Sequence, residues 1–134
     1  MKNLIKIIQF PNRWKRSNKF VLRAIGELFS AVVIGILIRF YYKPKNIERV
    51  IVYSPSIFWA LTLKISNIHK QKVRLIVRDI FPLWLLNAGI LTKSSPAFIF
   101  LNMIAKLQFK MASRVFLQAE QDIEAIKFEY HVDT

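Results

Sequence analysis

The sequence predicts an α/β protein whose parallel β-sheet is flanked by helices. Short runs of β-branched and apolar residues alternate along the chain with longer segments of helical periodicity. A strand, helix, strand order of this kind needs crossover connections, which join parallel strands. The runs are continuously apolar rather than alternating, as expected for parallel strands buried on both faces. With 134 residues, 54% of them hydrophobic, the chain is long and apolar enough for one domain with its own core.

The first half of the chain contains two predicted strands and two predicted helices. Residues 4–10 form a β-branched run that Pro11 stops, which predicts a strand. Residues 19–42 carry apolar side chains at three- and four-residue spacing and predict a helix, which Pro44 ends. A second strand follows at residues 49–53 and a second helix at residues 57–68.

The second half continues the same alternation. Val73–Val77 predicts a strand, and residues 81–91 predict a short helix or an ordered loop. Ser94, Ser95 and Pro96 have the chemistry of a helix start, with a serine cap and a proline early in the first turn, so a helix is expected from there to Met111 or Ala112. Arg114–Leu117 predicts the last strand, and the acidic tail from Glu120 predicts a final helix.

The charge is unevenly distributed along the chain. The net charge is +13, but residues 1–119 hold 20 basic and 3 acidic side chains, a net of +17. Such a field attracts polyanions, which include nucleic acid, an anionic membrane face and phosphorylated ligands. A basic but merely solvated surface is the alternative. The longest uncharged apolar runs are too short to span a bilayer, so no transmembrane segment is expected.

Several kinds of functional site are excluded by composition. The chain has no cysteine and two histidines, which rules out disulfides, cysteine nucleophiles and histidine-rich metal sites. No metal site is expected. No glycine-rich phosphate loop is present among the three glycines, so a nucleotide site within this chain alone is not expected either.

The candidate site lies where two predicted strands end. In open parallel sheets, ligands bind beyond the carboxyl ends of the strands. Ser54, Pro55 and Ser56 follow one strand, and Arg78 and Asp79 follow the next. In that position a carboxylate could act as general base toward a hydroxyl nucleophile. The alternative is structural: Asp79 would cap the following turn or pair with Arg78.

Three stretches resemble glycosyltransferase family 4, closest to members that build O-antigen, capsule and related surface polysaccharides. They are IVYSPSIFWALTLKI, VRLIVRDIFPLWLLNAGIL and KLQFKMASRVFLQ. The earlier IKIIQFPNRWKRSNKFVLRAIGELFSA resembles the third strand and basic amphipathic helix of the same family domain. The resemblance therefore covers nearly the whole chain.

The resemblance implies half of a GT-B fold, in which two Rossmann-like domains face each other across a cleft. Residues 1–134 would be a partial N-terminal, acceptor-side domain, without the family's first strand and without the C-terminal domain that grips the nucleotide-sugar. Asp79 falls where many family members carry a histidine or an aspartate near the transferred sugar, so it is the catalytic candidate. Ser54, Pro55, Ser56 and Arg78 are candidates for the acceptor side of the cleft wall.

The implied function is sugar transfer from a nucleotide-sugar donor to a lipid-linked glycan acceptor, at the inner, cytoplasmic face of the cytoplasmic membrane. The chain alone is expected to bind no cofactor and to be inactive, with the donor domain supplied by another chain or missing. A small basic membrane-associated protein without enzymatic activity is the alternative, and a nucleic-acid-binding module is less favoured because no groove-binding motif is present. The expected membrane contacts are Arg13, Trp14, Lys15, Arg16 and Lys19.

Overall fold

The computed structural model describes residues 20–42, 44–54 and 56–131. The strand expected at residues 4–10 lies outside these residues. The described elements alternate as predicted, with two short 3-10 turns at Pro44–Asn46 and Lys70–Lys72. In chain order they are α1 (Phe20–Tyr41), β1 (Val50–Tyr53), α2 (Trp59–Ile65), β2 (Val73–Val77), α3 (Leu83–Asn87), α4 (Pro96–Lys110), β3 (Arg114–Leu117) and α5 (Gln121–Tyr130).

The three described strands form one parallel sheet in the order β1-β2-β3. Val52 of β1 lies beside Leu75 of β2, which in turn lies beside Val115 of β3. Each pair is connected through a helix, α2 between β1 and β2, and α3 and α4 between β2 and β3. The predicted α/β class with a parallel, Rossmann-like sheet is therefore confirmed.

Among the described residues, only one face of this sheet is covered, which differs from the expectation that both faces are buried. Neighbours in parallel register present their side chains to the same face. Val52, Leu75 and Val77 share one face and belong to the hydrophobic core. On the opposite face Ile51 is 66% exposed and Phe116 is 49% exposed. The continuous apolar run in β1 thus reflects an open sheet face rather than burial on both sides.

The core lies between the covered face and helices α2, α4 and α5. Leu63 of α2, Leu101 and Ile104 of α4, and Ile126 of α5 are all buried in the same cluster as the central strand. Each fully buried leucine or isoleucine side chain contributes about 1.5–3 kcal/mol. Within α4 the buried residues recur at intervals of three and four, from Phe98 through Leu101 and Ala105 to Phe109, so the periodicity that predicted this helix also determines which of its sides packs.

Helix α1 packs closely against α2 through small residues. A Cβ atom added at Gly35 would lie 3.0 Å from Cβ of Ile65 and 3.2 Å from Cα of Thr62. The buried Thr62 hydroxyl donates a hydrogen bond to the Ala31 carbonyl oxygen at 2.8 Å. Close approach of the two backbones therefore depends on glycine at position 35.

Local chemistry explains where the helices begin and end. The Ser95 hydroxyl accepts a hydrogen bond from the Phe98 amide at 3.2 Å, which confirms the predicted N-cap of α4. Helix α2 ends at Ile65, three residues earlier than predicted, because Asn67 adopts a left-handed conformation with φ of 56°. Gly89 takes the same kind of conformation just after α3, with φ of 67°.

Helix α1 is apolar around most of its circumference. Ala31 and Gly35 are buried against the rest of the domain, whereas Leu22, Ile25 and Phe29 are exposed. The exposed stripe continues along the helix to Ile36 and Phe40. Its Leu22–Tyr41 stretch is long and apolar enough to cross a membrane, judged by length and composition alone. The expectation that this chain has no spanning segment stays a prediction.

Tyr130, at the end of α5, is buried with its ring stacked on Phe109 at a centroid distance of 4.5 Å. Its hydroxyl makes no hydrogen bond to any described residue. Burial raises the pKa of this hydroxyl well above its ordinary value, and the neighbouring Glu129 carboxylate adds to the rise. The folded protein therefore favours the neutral phenol.

Replacing Tyr130 by Phe is expected to raise the free energy of unfolding by about 1 kcal/mol at neutral pH, because a buried donor without an acceptor is removed. Because the pKa of Tyr130 is raised in the folded protein, the hydroxyl ionises first in the unfolded chain. The free energy of unfolding of the wild-type protein is therefore unaffected by this ionisation below about pH 10 and falls as the pH rises above that value. Urea denaturation of both proteins between pH 8 and 11 should show a widening gap in favour of Tyr130→Phe. A constant gap would mean that the hydroxyl is accessible to water.

Candidate functional site

A cleft of about 360 Å³ lies at the carboxyl ends of β1 and β2, where ligands bind in open parallel sheets. Three parts of the chain meet there: the first turns of α1, the loop after β1, and the segment between β2 and α3. The lining residues are Arg23, Ala24, Glu27, Ser56, Ile57, Asp79, Phe81 and Trp84.

The loop after β1 is held by a backbone hydrogen bond. The Ser54 amide donates to the Ile76 carbonyl at 2.9 Å, which extends the β1–β2 ladder by one residue. The chain then turns into α2, and Ser56 faces the cleft at the turn. The sheet therefore holds Ser54, the residue at which this loop begins.

The segment after β2 supplies the acid and the aromatic rings of the cleft. The Phe81 amide donates to the Asp79 carbonyl oxygen at 3.0 Å and closes a tight turn. The rings of Phe81 and Trp84 then approach each other, with centroids 6.2 Å apart and planes inclined at 53°. Trp84 is 43% exposed, so one part of the indole remains accessible to a ligand.

Two of the predicted site residues meet in the cleft. Ser56 and Asp79 both line it, as expected for neighbouring strand ends. Ser54 is 2% exposed and does not line the cleft, and Arg78 is exposed on the outside of its turn. Pro55 lies outside the described residues. The five predicted membrane contacts are also outside them: Arg13, Trp14, Lys15, Arg16 and Lys19.

The structural alternative for Asp79 finds no support in its surroundings. Among the residues that the structure describes, the Asp79 carboxylate takes part in no hydrogen bond or ion pair. The turn that follows is closed by its backbone carbonyl instead. The carboxylate neither caps this turn nor pairs with Arg78, which leaves its oxygens available to a ligand in the cleft.

Sequence reasoning missed Arg23 and Glu27, which α1 contributes to the same cleft. These residues are four apart and lie on one side of the helix. They are the only charged residues between Phe20 and Ile38 of an otherwise apolar helix. These isolated charges could have indicated that α1 contributes to a site, because charged side chains on an apolar helix are stable only where they contact water or other polar groups.

The cleft combines groups that suit an uncharged, hydroxyl-bearing ligand. Asp79 and Glu27 can accept hydrogen bonds from hydroxyls, and either carboxylate could remove a proton from one. The exposed part of Trp84 offers an apolar surface beside them. No group of acidic, histidine or cysteine side chains that could hold a metal ion occurs among the residues that were placed.

Comparisons with known proteins do not extend this picture. No family model matches the sequence, no curated protein matches it, and no solved structure matches the fold. The function is therefore inferred from the residues of the cleft and from the surfaces around it.

Proposed function

We propose that this chain is the acceptor-side part of a glycosyltransferase, which binds a glycan acceptor in the cleft at the carboxyl ends of β1 and β2. In the complete enzyme a nucleotide-sugar would donate its sugar to a hydroxyl of a lipid-linked glycan, as the resemblance to glycosyltransferase family 4 implies. Asp79 would act as the base that takes the proton of the attacking hydroxyl.

One observation carries the proposal: the carboxylate of Asp79, free of protein partners among the described residues, lies in the same cleft as Ser56 and the half-exposed Trp84. A free carboxylate and a hydroxyl can recognise sugar hydroxyls, while an aromatic ring can cover the apolar side of a sugar ring. The volume of about 360 Å³ is within the range of small-ligand pockets and suits one or two sugar units.

The membrane location is part of the same proposal. Helix α1 supplies Arg23 and Glu27 to the cleft and also carries the exposed apolar stripe that begins with Leu22, Ile25 and Phe29. A helix packed along one side on a protein domain, with apolar residues on the other side, is suited to lie in the interface of a bilayer. The cleft would then open close to the lipid surface, where a lipid-linked acceptor is presented.

The donor half would come from another polypeptide or another domain. The sheet face with Ile51 and Phe116 is open, although parallel sheets are normally covered on both faces. The chain also has no glycine-rich loop for a nucleotide. Both features support the proposal that this chain binds the acceptor and that a partner binds the nucleotide-sugar donor.

A small basic membrane protein without enzymatic activity is the second candidate. The observation that favours it is α1 itself, since the 20 residues Leu22–Tyr41 meet the length and apolarity of a membrane span. Against it, α1 lies side by side with α2 and is bonded to it through Thr62 and Arg39, so a spanning α1 would carry α2 into the bilayer.

Vesicle binding tests the proposal and separates it from this candidate. The purified chain should co-sediment with anionic vesicles, and more strongly when they carry a lipid-linked glycan. Binding should fall several-fold between about 0.1 and 1 M salt, as the Debye length shrinks from about 10 to 3 Å. Trp84→Ala should abolish the extra binding to glycan-loaded vesicles and leave the binding to plain vesicles unchanged. Incubation with nucleotide-sugars should give no transfer.

Three results would contradict the proposal. If only detergent releases the chain from the vesicles, a spanning α1 is favoured. If Trp84→Ala changes the binding to plain and to glycan-loaded vesicles equally, the acceptor does not bind in the cleft. Turnover of a nucleotide-sugar by the isolated chain would show that no partner is needed.

A further inference from the structure

A second pocket, of about 440 Å³, lies at the opposite edge of the sheet, where β2 and β3 begin. Four separate parts of the chain surround it: the 3-10 turn before β2, the last turns of α4, the start of β3 and the end of α5. Its cationic lining residues are Lys70, Lys106, Lys110 and Arg114. It shares no lining residue with the cleft at the carboxyl ends of the strands.

The charge around this pocket is not explained by the helix ends alone. Helices α4 and α5 both end at it, and each C-terminus carries roughly −0.5 of an elementary charge. Glu129 adds one negative charge. Against these stand four permanent cations, so the pocket keeps roughly two positive charges after both helix ends and the carboxylate are counted. The four cations repel one another, and an anion bound between them would offset this repulsion by attracting each of them.

The wall of the pocket also contains a buried donor without a partner. Tyr130 lines the pocket and is 8% exposed, and its hydroxyl makes no hydrogen bond to any residue the structure describes. A buried hydroxyl normally has an acceptor, so this hydroxyl is an exception among the buried polar groups of the described residues. The cationic side chains around the pocket therefore favour an anion rich in oxygen.

We propose that this pocket binds a small phosphate-bearing anion, with Arg114, Lys110 and Lys106 as its principal contacts. Arg114 can hold two phosphate oxygens at once through its planar guanidinium, while the lysines act as point charges. A pocket enclosed by four segments fits a compact diphosphate better than the extended backbone of a nucleic acid. The nearby aromatic rings of Phe109 and Tyr130 are buried and stack on each other, so they are not available to bases.

Titration of the purified chain with inorganic pyrophosphate at 0.15 M salt, followed by calorimetry, tests this inference. Saturable one-to-one binding is expected. Arg114→Gln and Lys110→Gln should each weaken it about tenfold, because each removes a hydrogen bond to a charged group. Lys93→Gln is the matched control, since Lys93 is an exposed lysine outside both the pocket and the cleft, and it should change the affinity less than twofold.

Vesicles of phosphatidylglycerol form a second arm that identifies the source of the phosphate. If Arg114→Gln weakens pyrophosphate binding but not vesicle binding, the ligand is soluble; if it weakens both, a lipid headgroup is the ligand.

Two results overturn the inference: no saturable binding in either arm, or equal losses for Lys93→Gln and Arg114→Gln, which would indicate general charge attraction. Should Arg114→Gln fail to fold, Lys106→Gln and Lys110→Gln decide, since both lysines are exposed on α4. The outcome does not depend on the acceptor cleft.

Discussion

In the assembled enzyme, Asp79→Asn is expected to lower the rate of sugar transfer about 100- to 10,000-fold, which is the usual contribution of a positioned general base. The amide keeps the size and most hydrogen-bonding capacity of the carboxylate but cannot accept a proton. Donor binding should be nearly unchanged, since Asp79 lies in the cleft assigned to the acceptor. The measurement is single-turnover transfer by this chain combined with the polypeptide that carries the donor half.

Glu27→Gln is the matched control for this experiment, because Glu27 is the other carboxylate in the cleft. It should raise the acceptor concentration needed for half-maximal rate and leave the maximal rate within about tenfold. The reverse pattern, in which Glu27→Gln causes the large loss of rate, would indicate that Glu27 is the base instead of Asp79. Melting temperatures of both variants must accompany the rates. An Asp79→Asn protein that is destabilised but active would indicate a structural role for this carboxylate.

Gly35→Leu is expected to lower the free energy of unfolding by about 2–6 kcal/mol, or to release α1 from the domain. Its Cβ alone would lie 3.0 Å from the Ile65 side chain and 3.2 Å from the Thr62 backbone, so the larger leucine side chain is expected to push the two helices apart. Overpacking alone costs about 1–3 kcal/mol. Separation also breaks the hydrogen bond from Thr62 to Ala31, and a buried hydroxyl left without an acceptor adds about 1–3 kcal/mol.

Gly35→Ala separates the effect of the added Cβ atom from the effect of the larger leucine side chain. The gain in helix propensity from glycine to alanine is about 1 kcal/mol, while the new Cβ contacts are tight, so the net change should be small and destabilising. Ile36→Leu, at an exposed position on the same helix, serves as the control and should stay within about 0.5 kcal/mol. Urea denaturation measures all three. If Gly35→Leu is as stable as the control, α1 and α2 do not approach as closely as described.

The sequence predicted well what depends on neighbours along the chain. The bounds of β2 and β3 agree with the prediction, and α4 begins at the serine cap that was expected. Strand composition, helical periodicity and capping chemistry are local properties, and a parallel sheet follows from their alternation. Ser56 and Asp79 were also predicted together, because the carboxyl ends of adjacent parallel strands lie at one edge.

The tertiary structure decided what depends on distant contacts. Arg23 and Glu27 join Asp79 through the packing of α1 on α2, whose close approach at Gly35 no local pattern specifies. The sheet face with Ile51 and Phe116, which the described residues leave open, was predicted as buried, because an apolar strand has the same composition whether or not something covers it. The basic pocket at the other edge likewise gathers lysines and an arginine from separate elements. Local sequence sets the elements, but packing between them determines which charged side chains meet, since those distances depend on the whole fold.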